Sequence, residues 1–367
     1  MKIKRITLYH IQMKLNTPFV TSYGTVQDRD SIIVEMEDKK GYIGWGECVA
    51  FSAPWYTEET VKTCWHIMED FLIPLIFQQP ITHPDEVLKR FLPIRRNQMA
   101  KAALEGAVWD LYANHQEMAL SKVVGGEKES IDIGVAIGIK PLEEMLDSIN
   151  AALTEGYKRI KVKIKPGIEH KLLQGIRKHF PDIPLMADAN SAYSLNDIDL
   201  LKSLDEFKLM MIEQPLATDD IINHAKLQRQ INTPVCLDES IVSYEDTEKA
   251  VELGSCKVIN IKIGRVGGIS EAKRIHDLCQ KSNIAVWGGG MLETGVARAH
   301  SVALASLPYF ILPADTAGSS HYWEQDIIEP EVVVNQGSIK VSDKPGLGYD
   351  INRKRLEQVT IQKKNFF

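Results

Sequence analysis

Cysteine is scarce in this chain and never spaced for use. The five residues Cys48, Cys64, Cys236, Cys256 and Cys279 are odd in number, scattered and without a C-x-x-C pair. That excludes a paired disulfide framework and a cysteine zinc site, and it points to a reducing compartment. No apolar run approaches the ~18 residues that a membrane span requires. Residues 1–9 alternate like a strand and carry Lys2, Lys4 and Arg5 in place of the apolar core of a secretion signal, so a cytoplasmic location is expected. Positive charge is in deficit: 43 Lys and Arg against 49 Asp and Glu leave a net charge of −6. With no polybasic run either, nucleic acid and membrane surfaces are not expected partners. The 367 residues, 44% hydrophobic and 25% charged, suffice for two domains or one large one.

What the chain does have is rhythm. Arg159-Ile160-Lys161-Val162-Lys163-Ile164-Lys165 alternates apolar and cationic residues, the period of a strand. Ile160, Val162 and Ile164 share one face, and Lys161, Lys163 and Lys165 share the other. Alone, this reads as an edge strand with a solvated lysine face. The downstream spacing overturns that reading. Short apolar runs end in single charges at Asp188, Glu213, Asp238 and Lys262, which follow Lys163 at intervals of 25, 25, 25 and 24 residues. About 25 residues accommodate one strand, one helix and two short connections, so the charges mark equivalent points on successive parallel strands. In a (β/α)8 barrel those strand ends converge on one mouth. The expected fold is therefore α/β, a modified (β/α)8 TIM-type barrel behind an N-terminal α+β capping domain.

The cap is expected over residues 1–125, with strands at Ile3–Tyr9, Ser31–Glu37 and Gly41–Cys48 and a turn at Asp38-Lys39-Lys40-Gly41. Residues 16–25 are too rich in Gly, Pro, Ser and Thr for an element, yet they carry Phe19 and Tyr23. They read as a loop whose aromatics either tuck into the hairpin or close over a site. Thr57 is expected to cap a helix, without a full capping box. In the helix around Met99–Leu111, Glu105 and Asp110 read as structural polar groups. The barrel is expected over residues 126–320, from a first strand at Ile131–Ile139 to an eighth at Phe310–Leu312. Residues 321–367 are expected to pack back on the cap.

Alternation turns Ala187, Ile212, Leu237 and Ile261 toward the surrounding helices and the five charges into the mouth. Carboxylates buried there need a compensating cation. Oxygen donors without His or Cys favour a hard ion, Mg²⁺ first and Mn²⁺ second. A purely structural ion network is disfavoured because three acids against two lysines leave negative charge over. A lysine on each side of such an ion suits abstraction of a proton next to a carboxylate. Lys161 and Lys262 are expected to depress the pKa of Lys163 and make it a base.

Taken together, Lys161-Val162-Lys163, Asp188-Ala189-Asn190, Glu213-Gln214-Pro215, Asp238-Glu239-Ser240 and Lys262-Ile263-Gly264-Arg265-Val266-Gly267-Gly268 resemble the enolase superfamily, in its muconate-lactonising subgroup, over nearly the whole chain. Gly288-Gly289-Gly290-Met291-Leu292-Glu293-Thr294-Gly295, and Thr17-Pro18-Phe19 with Thr21-Ser22-Tyr23-Gly24, are similar to the o-succinylbenzoate synthase / N-acylamino acid racemase family. The resemblance implies that Asp188, Glu213 and Asp238 bind Mg²⁺, that Lys163 is the general base, and that Lys161 is its electrostatic neighbour. It implies that Lys262 acts from the opposite face and that Asn190 and Glu239 orient the metal site. Phe19, Tyr23, Gly290, Met291, Leu292 and Glu293 would contact substrate.

The implied reaction is dehydration to o-succinylbenzoate on the route to menaquinone. The alternatives are two-lysine racemisation of N-succinylamino acids, or both activities in one site. Dipeptide epimerase and muconate cycloisomerase resemble the chain less well. The expected partners are a small carboxylate substrate and further copies of the chain in a homo-oligomer. One departure touches the pocket: relatives often carry serine where this chain has Ala136. A barrel kept only for binding predicts loss of a ring member, and none is lost.

Overall fold

The computed structural model describes residues 1–20 and 24–367. Its cap begins with β1 (Ile3–Val20), β2 (Thr25–Asp38) and β3 (Ile43–Cys48). The β1–β2 hairpin is far longer than its alternation predicts, with pairing that continues to Val20 opposite Thr25. Residues 16–20, expected as loop, are strand. The register skips between Lys14 and Phe19, and Pro18 lies in that skip, where its missing N–H interrupts no ladder. Phe19 sits opposite Val26 and is half-buried, whereas Tyr23 lies outside the described residues.

The next helix also begins later than expected. Thr60, not Thr57, caps Val61–Ile67, and Thr63 completes a capping box. Glu59 is engaged elsewhere. Its carboxylate accepts hydrogen bonds from Met99 N at 2.9 Å and Ala100 N at 3.1 Å, at the start of the helix Gln98–His115. That helix is buried nearly all round, between the cap sheet and the barrel. Its small residues allow close approach: a Cβ on Gly46 of β3 would meet the Ala103 carbonyl at 2.0 Å.

Glu105 and Asp110 are structural, as the sequence indicated. Glu105 accepts from Ile269 N at 2.8 Å, Ser270 N at 2.9 Å and Trp109 Nε1 at 2.8 Å, capping the barrel helix Ile269–Lys281 from the cap side. Asp110 accepts from Trp45 N at 2.8 Å and Leu347 N at 2.7 Å, which pins the C-terminal segment to β3.

The single strand expected over Ile131–Ile139 is split into β4 (Ser130–Asp132) and β5 (Gly134–Ile137). From β5 a parallel sheet runs in chain order through β6 (Arg159–Lys163), β7 (Leu185–Asp188), β8 (Ile212–Glu213), β9 (Val235–Leu237), β10 (Val258–Ile261) and β11 (Ala285–Gly288). The eighth position is filled by an irregular segment rather than a strand over Phe310–Leu312. Phe310 bridges Val286, Asp315 N donates to Gly288 O at 2.9 Å, and Gly134 N donates to Ala314 O at 2.8 Å. Those bonds close the barrel.

The chain ends with β12 (Ile328–Glu329), β13 (Ser338–Lys340), β14 (Asp350–Ile351) and β15 (Thr360–Phe366). β13 pairs with β4, and β15 returns to the cap as the edge strand beside β1. Met186, Met211, Cys236, Val258 and Trp287 fill the barrel interior. Ala187, Ile212, Leu237 and Ile261 pack outward in the larger core, the partition that alternation predicts. No helix among the described residues is long and apolar enough to cross a membrane.

Replacing Glu105 by Ala orphans two buried backbone N–H groups, at about 1–3 kcal/mol each. Denaturant unfolding is expected to register that loss. An unchanged midpoint would show that the cap–barrel tie contributes nothing.

Candidate active site

Register sets the ring of charges. Lys163 is level with Asp188 and Asp188 with Glu213, while Asp238 and Lys262 follow the ends of β9 and β10. β6 and β10 are four steps apart in a ring of seven strands and one closing segment, so Lys163 and Lys262 stand on opposite sides of the mouth. The three carboxylates occupy the arc between them.

Each charge is paired. Lys163 Nζ donates to Asp188 Oδ2 and to Asn190 Oδ1, both at 2.6 Å. Asn190 passes the contact on, donating from Nδ2 to Glu239 Oε1 at 3.2 Å. Lys161 Nζ donates to Glu213 Oε2 at 3.1 Å and forms a short ion pair with Asp315. Lys262 Nζ donates to Asp238 Oδ2 at 2.9 Å and to Tyr56 Oη at 3.0 Å. Arg265 pairs with the other oxygen of Asp238 and donates to Tyr56 Oη at 2.8 Å. Asn260 Nδ2 donates to Glu213 Oε1 at 2.7 Å.

Backbone turns after β7 and β8 support these positions: Asn190 (φ 42°) and Gln214 (φ 38°) lie in the left-handed region. Gln214 Oε1 accepts from Asp238 N at 3.0 Å and Ser240 N at 3.3 Å, tying β8 to the Asp238 loop. Gly289 has no room for a side chain, since a Cβ would meet Asn260 Oδ1 at 2.1 Å and Lys262 Cε at 2.7 Å.

The electrostatics depart from expectation at Lys163. Burial lowers its pKa, but Asp188 and Glu213 outweigh burial and hold it above the ordinary lysine value; the expected depression by neighbouring lysines loses to the nearer carboxylates. Lys161 is the lysine held low, by burial first and with Lys163 and Arg159 adding to it. On Asp188, burial is outweighed by Lys163 and Lys161, so the pKa falls. Glu213 is pushed up by burial and then by Asp188, while burial followed by Asp238 and Asp188 takes Glu239 to about 8.

The charge count also changes. The sequence argument set three acids against two lysines in the mouth. The structure gathers Asp188, Glu213, Asp238 and Asp315 in ion pairs with Lys161, Lys163, Lys262, Arg159 and Arg265, with Glu239 raised to about 8 beside them, so the acids do not outnumber the cations. Among the described residues, no three acidic, His or Cys side chains converge as a ligand set. The donor chemistry nonetheless fits a hard divalent ion. Glu213 is crowded by two like charges, and Glu239 Oε2 is buried without a hydrogen-bond partner.

Of the expected pocket residues, Met291 packs toward the cap core and Leu292 into the barrel core. Gly290 lies against the backbone of Asp315, which a Cβ would meet at 2.4 Å. Ala136 is exposed beside Lys161. Glu293 is buried. With Lys262, Glu47 and Ser301 it lines a cavity of about 20 Å³, room for one water. Sequence reasoning missed Tyr56, Asn260 and Asp315 as members of the ring. Asn260 shares the inward parity of Lys262. Asp315 continues the rhythm, falling 26 residues after Gly289, which itself falls 27 after Lys262. Tyr56 comes from a cap loop that carries no periodic signal.

Residues 3–125 match the mandelate racemase / muconate lactonizing enzyme N-terminal domain, and residues 144–355 match the enolase C-terminal domain-like family. The chain is 59% identical to an o-succinylbenzoate synthase of Geobacillus stearothermophilus over 98% of its length and 96% of the relative's. It is 42% identical to an N-succinylamino acid racemase of Thermus thermophilus, over 98% of both chains. A crystal structure of an enolase superfamily member from Listeria innocua superposes with a TM-score of 0.98 at 43% identity, covering 100% of this chain and 99% of that one.

Burial raises the Glu293 carboxyl to about 8 against an ordinary value of 4.5. The folded state therefore holds a proton that the unfolded chain has released, and stability falls as pH rises from about 4.5 to about 8. Glu293→Gln is expected to flatten that decline in denaturant titrations from pH 5 to 9. Identical slopes in variant and wild type would contradict the assignment.

Proposed function

This chain belongs to the enolase superfamily, and we propose that within it the protein is an o-succinylbenzoate synthase. The observation that carries this reading is the 59% identity to the Geobacillus synthase over 98% of the chain; the placement of Lys163 and Lys262 across the mouth, with three carboxylates between, supplies the acid–base chemistry it needs. Superfamily members are generally dependent on a divalent metal, and here we assign Mg²⁺ to Asp188, Glu213 and Asp238, with Mn²⁺ as a substitute. A bound ion supplies electrostatic stabilisation of the negative charge that develops on the substrate carboxylate.

The chain's own residues do the proton work. Lys163, as the free amine, removes the proton next to the substrate carboxylate. The resulting Lys163 ammonium then protonates the departing hydroxyl on the same face, so one proton is carried from carbon to leaving water. Drawing Asp188 away from Lys163 would weaken the hold on its proton, leaving burial opposed by Glu213 alone and so lowering its pKa. Lys161 and Lys262 remain charged and oppose the developing anion from two sides. Asn190 and Glu239 hold the rim of the ion site, and Phe19, Gly290, Met291, Leu292 and Glu293 shape the pocket. The lid role expected of Tyr23 lies outside the described residues.

The second reading uses the same atoms. With Lys163 and Lys262 on opposite faces of a planar intermediate, one can remove a proton and the other return it, which is racemisation of an N-succinylamino acid. The likeness to the Thermus racemase favours keeping both activities in one site. We also propose a cytoplasmic location, in keeping with five cysteines that are all free and buried.

Dehydration of the cyclohexadiene carboxylate substrate, followed by ultraviolet absorbance, is expected to stop with a chelator and return with Mg²⁺. Lys163→Ala is expected to lower the rate by about 10²–10⁴-fold. Full turnover by the chelated enzyme, or by this variant, would overturn the reading.

A further inference from the structure

The inward face of β6 carries three cations in succession: Arg159, Lys161 and Lys163. The lower two share one carboxylate. Asp315 Oδ1 pairs with Arg159 Nη2, and Asp315 Oδ2 pairs with Lys161 Nζ. Arg159 is fully buried, and its Nε and Nη1 have no hydrogen-bond partner. Its guanidinium lies 4.3 Å from the Trp287 ring centroid, and Lys161 Nζ lies 5.0 Å from the same ring. The cation pair therefore rests on an aromatic floor, with Asp315 as its clamp.

Asp315 is itself fixed by the barrel closure. Its N–H donates to Gly288 O at 2.9 Å, and Gly290 crosses its backbone so closely that a Cβ would meet the Asp315 carbonyl at 2.4 Å. Gly290, the second glycine after β11, thus makes room for this one residue. Lys161 has two other carboxylate neighbours, Glu213 at 3.1 Å and Asp188 at 3.7 Å. Both are claimed by the ion site. Among the described residues, Asp315 is the carboxylate that touches Lys161 and stands outside that set.

We propose that Asp315 is a positioning residue for the reaction: anchored on Arg159 and on the closing segment of the barrel, it fixes the Lys161 ammonium in the mouth. An ammonium on a flexible four-carbon stem acts in a set direction only when something orients it. Within this clamp, Arg159 serves as a buried counter-charge that holds Asp315 in place. The inference rests on the role given above to Lys161.

A double-mutant cycle tests it on the Mg²⁺-loaded enzyme, with kcat and KM measured separately. Asp315→Asn is expected to lower kcat about 10²-fold, the scale of a misplaced group, while KM changes far less. In a Lys161→Met background the same substitution is expected to cost nothing further, because it acts only through Lys161. Asp315→Glu, which keeps the charge, is expected to recover part of kcat. If Asp315→Asn does not fold, Asp315→Glu carries the same cycle with a smaller loss. Equal losses in the wild-type and Lys161→Met backgrounds would overturn the proposal. Wild-type turnover by Lys161→Met alone would instead overturn the reading of Lys161, and the inference with it.

Discussion

Charge pairing at the barrel mouth governs this molecule. Five acids and five bases are brought together where most of them are out of water. An unpaired charge there would cost several kcal/mol, so the surrounding structure is committed to bringing partners within reach. Parallel register puts Lys163, Asp188 and Glu213 at one level. Gln214 ties the next strand end to the ring, and Asn190 links Lys163 to Glu239. Beneath them the Met186, Met211, Cys236, Val258 and Trp287 layer excludes solvent from the barrel. The apolar floor raises the cost of any unpaired charge and so sharpens the demand for pairing.

The cap answers to the same constraint. Tyr56 reaches from the cap to Asp238, Lys262 and Arg265, bringing a phenol into a network otherwise built by the barrel. Glu105 and Asp110 then fasten the cap helix to a barrel helix and to the C-terminal segment, so that Tyr56 arrives from a fixed direction. The ring is also economical in chemistry. On the proposed reading, Lys163 alone carries a proton from carbon to a departing hydroxyl, while Lys163 and Lys262 on opposite sides remove and return one, so the same atoms suit both activities.

The barrel was legible because its signal is periodic. Charges about 25 residues apart could come only from repeated βα units, and the inward residues Lys163, Asp188, Glu213, Asp238 and Lys262 were read from that rhythm alone. What escaped had a weaker signal or none: Asn260 and Asp315 keep the parity and spacing but end no apolar run in a charge on a regular strand. Asp315 follows a closing segment that makes isolated bridges in place of a strand, so the run seemed to stop at Lys262. Tyr56 lies in an irregular loop, and the long hairpin hid behind Thr17-Pro18, whose register skip interrupts the alternation. The pKa of Lys163 failed for another reason: its sign depends on which neighbour is nearest, and strand parity cannot rank distances. Asp188 at 2.6 Å decides it.

The account's central claim is that Lys163 and Lys262 address opposite faces of one substrate. Solvent exchange in D₂O tests it most directly, using each enantiomer of an N-succinylamino acid with Mg²⁺ and following α-deuteration by NMR. The wild-type enzyme is expected to exchange both hands. Lys163→Ala and Lys262→Ala are each expected to exchange one hand only, and opposite ones. If either single variant still exchanged both enantiomers at the wild-type rate, the two-faced arrangement would be wrong.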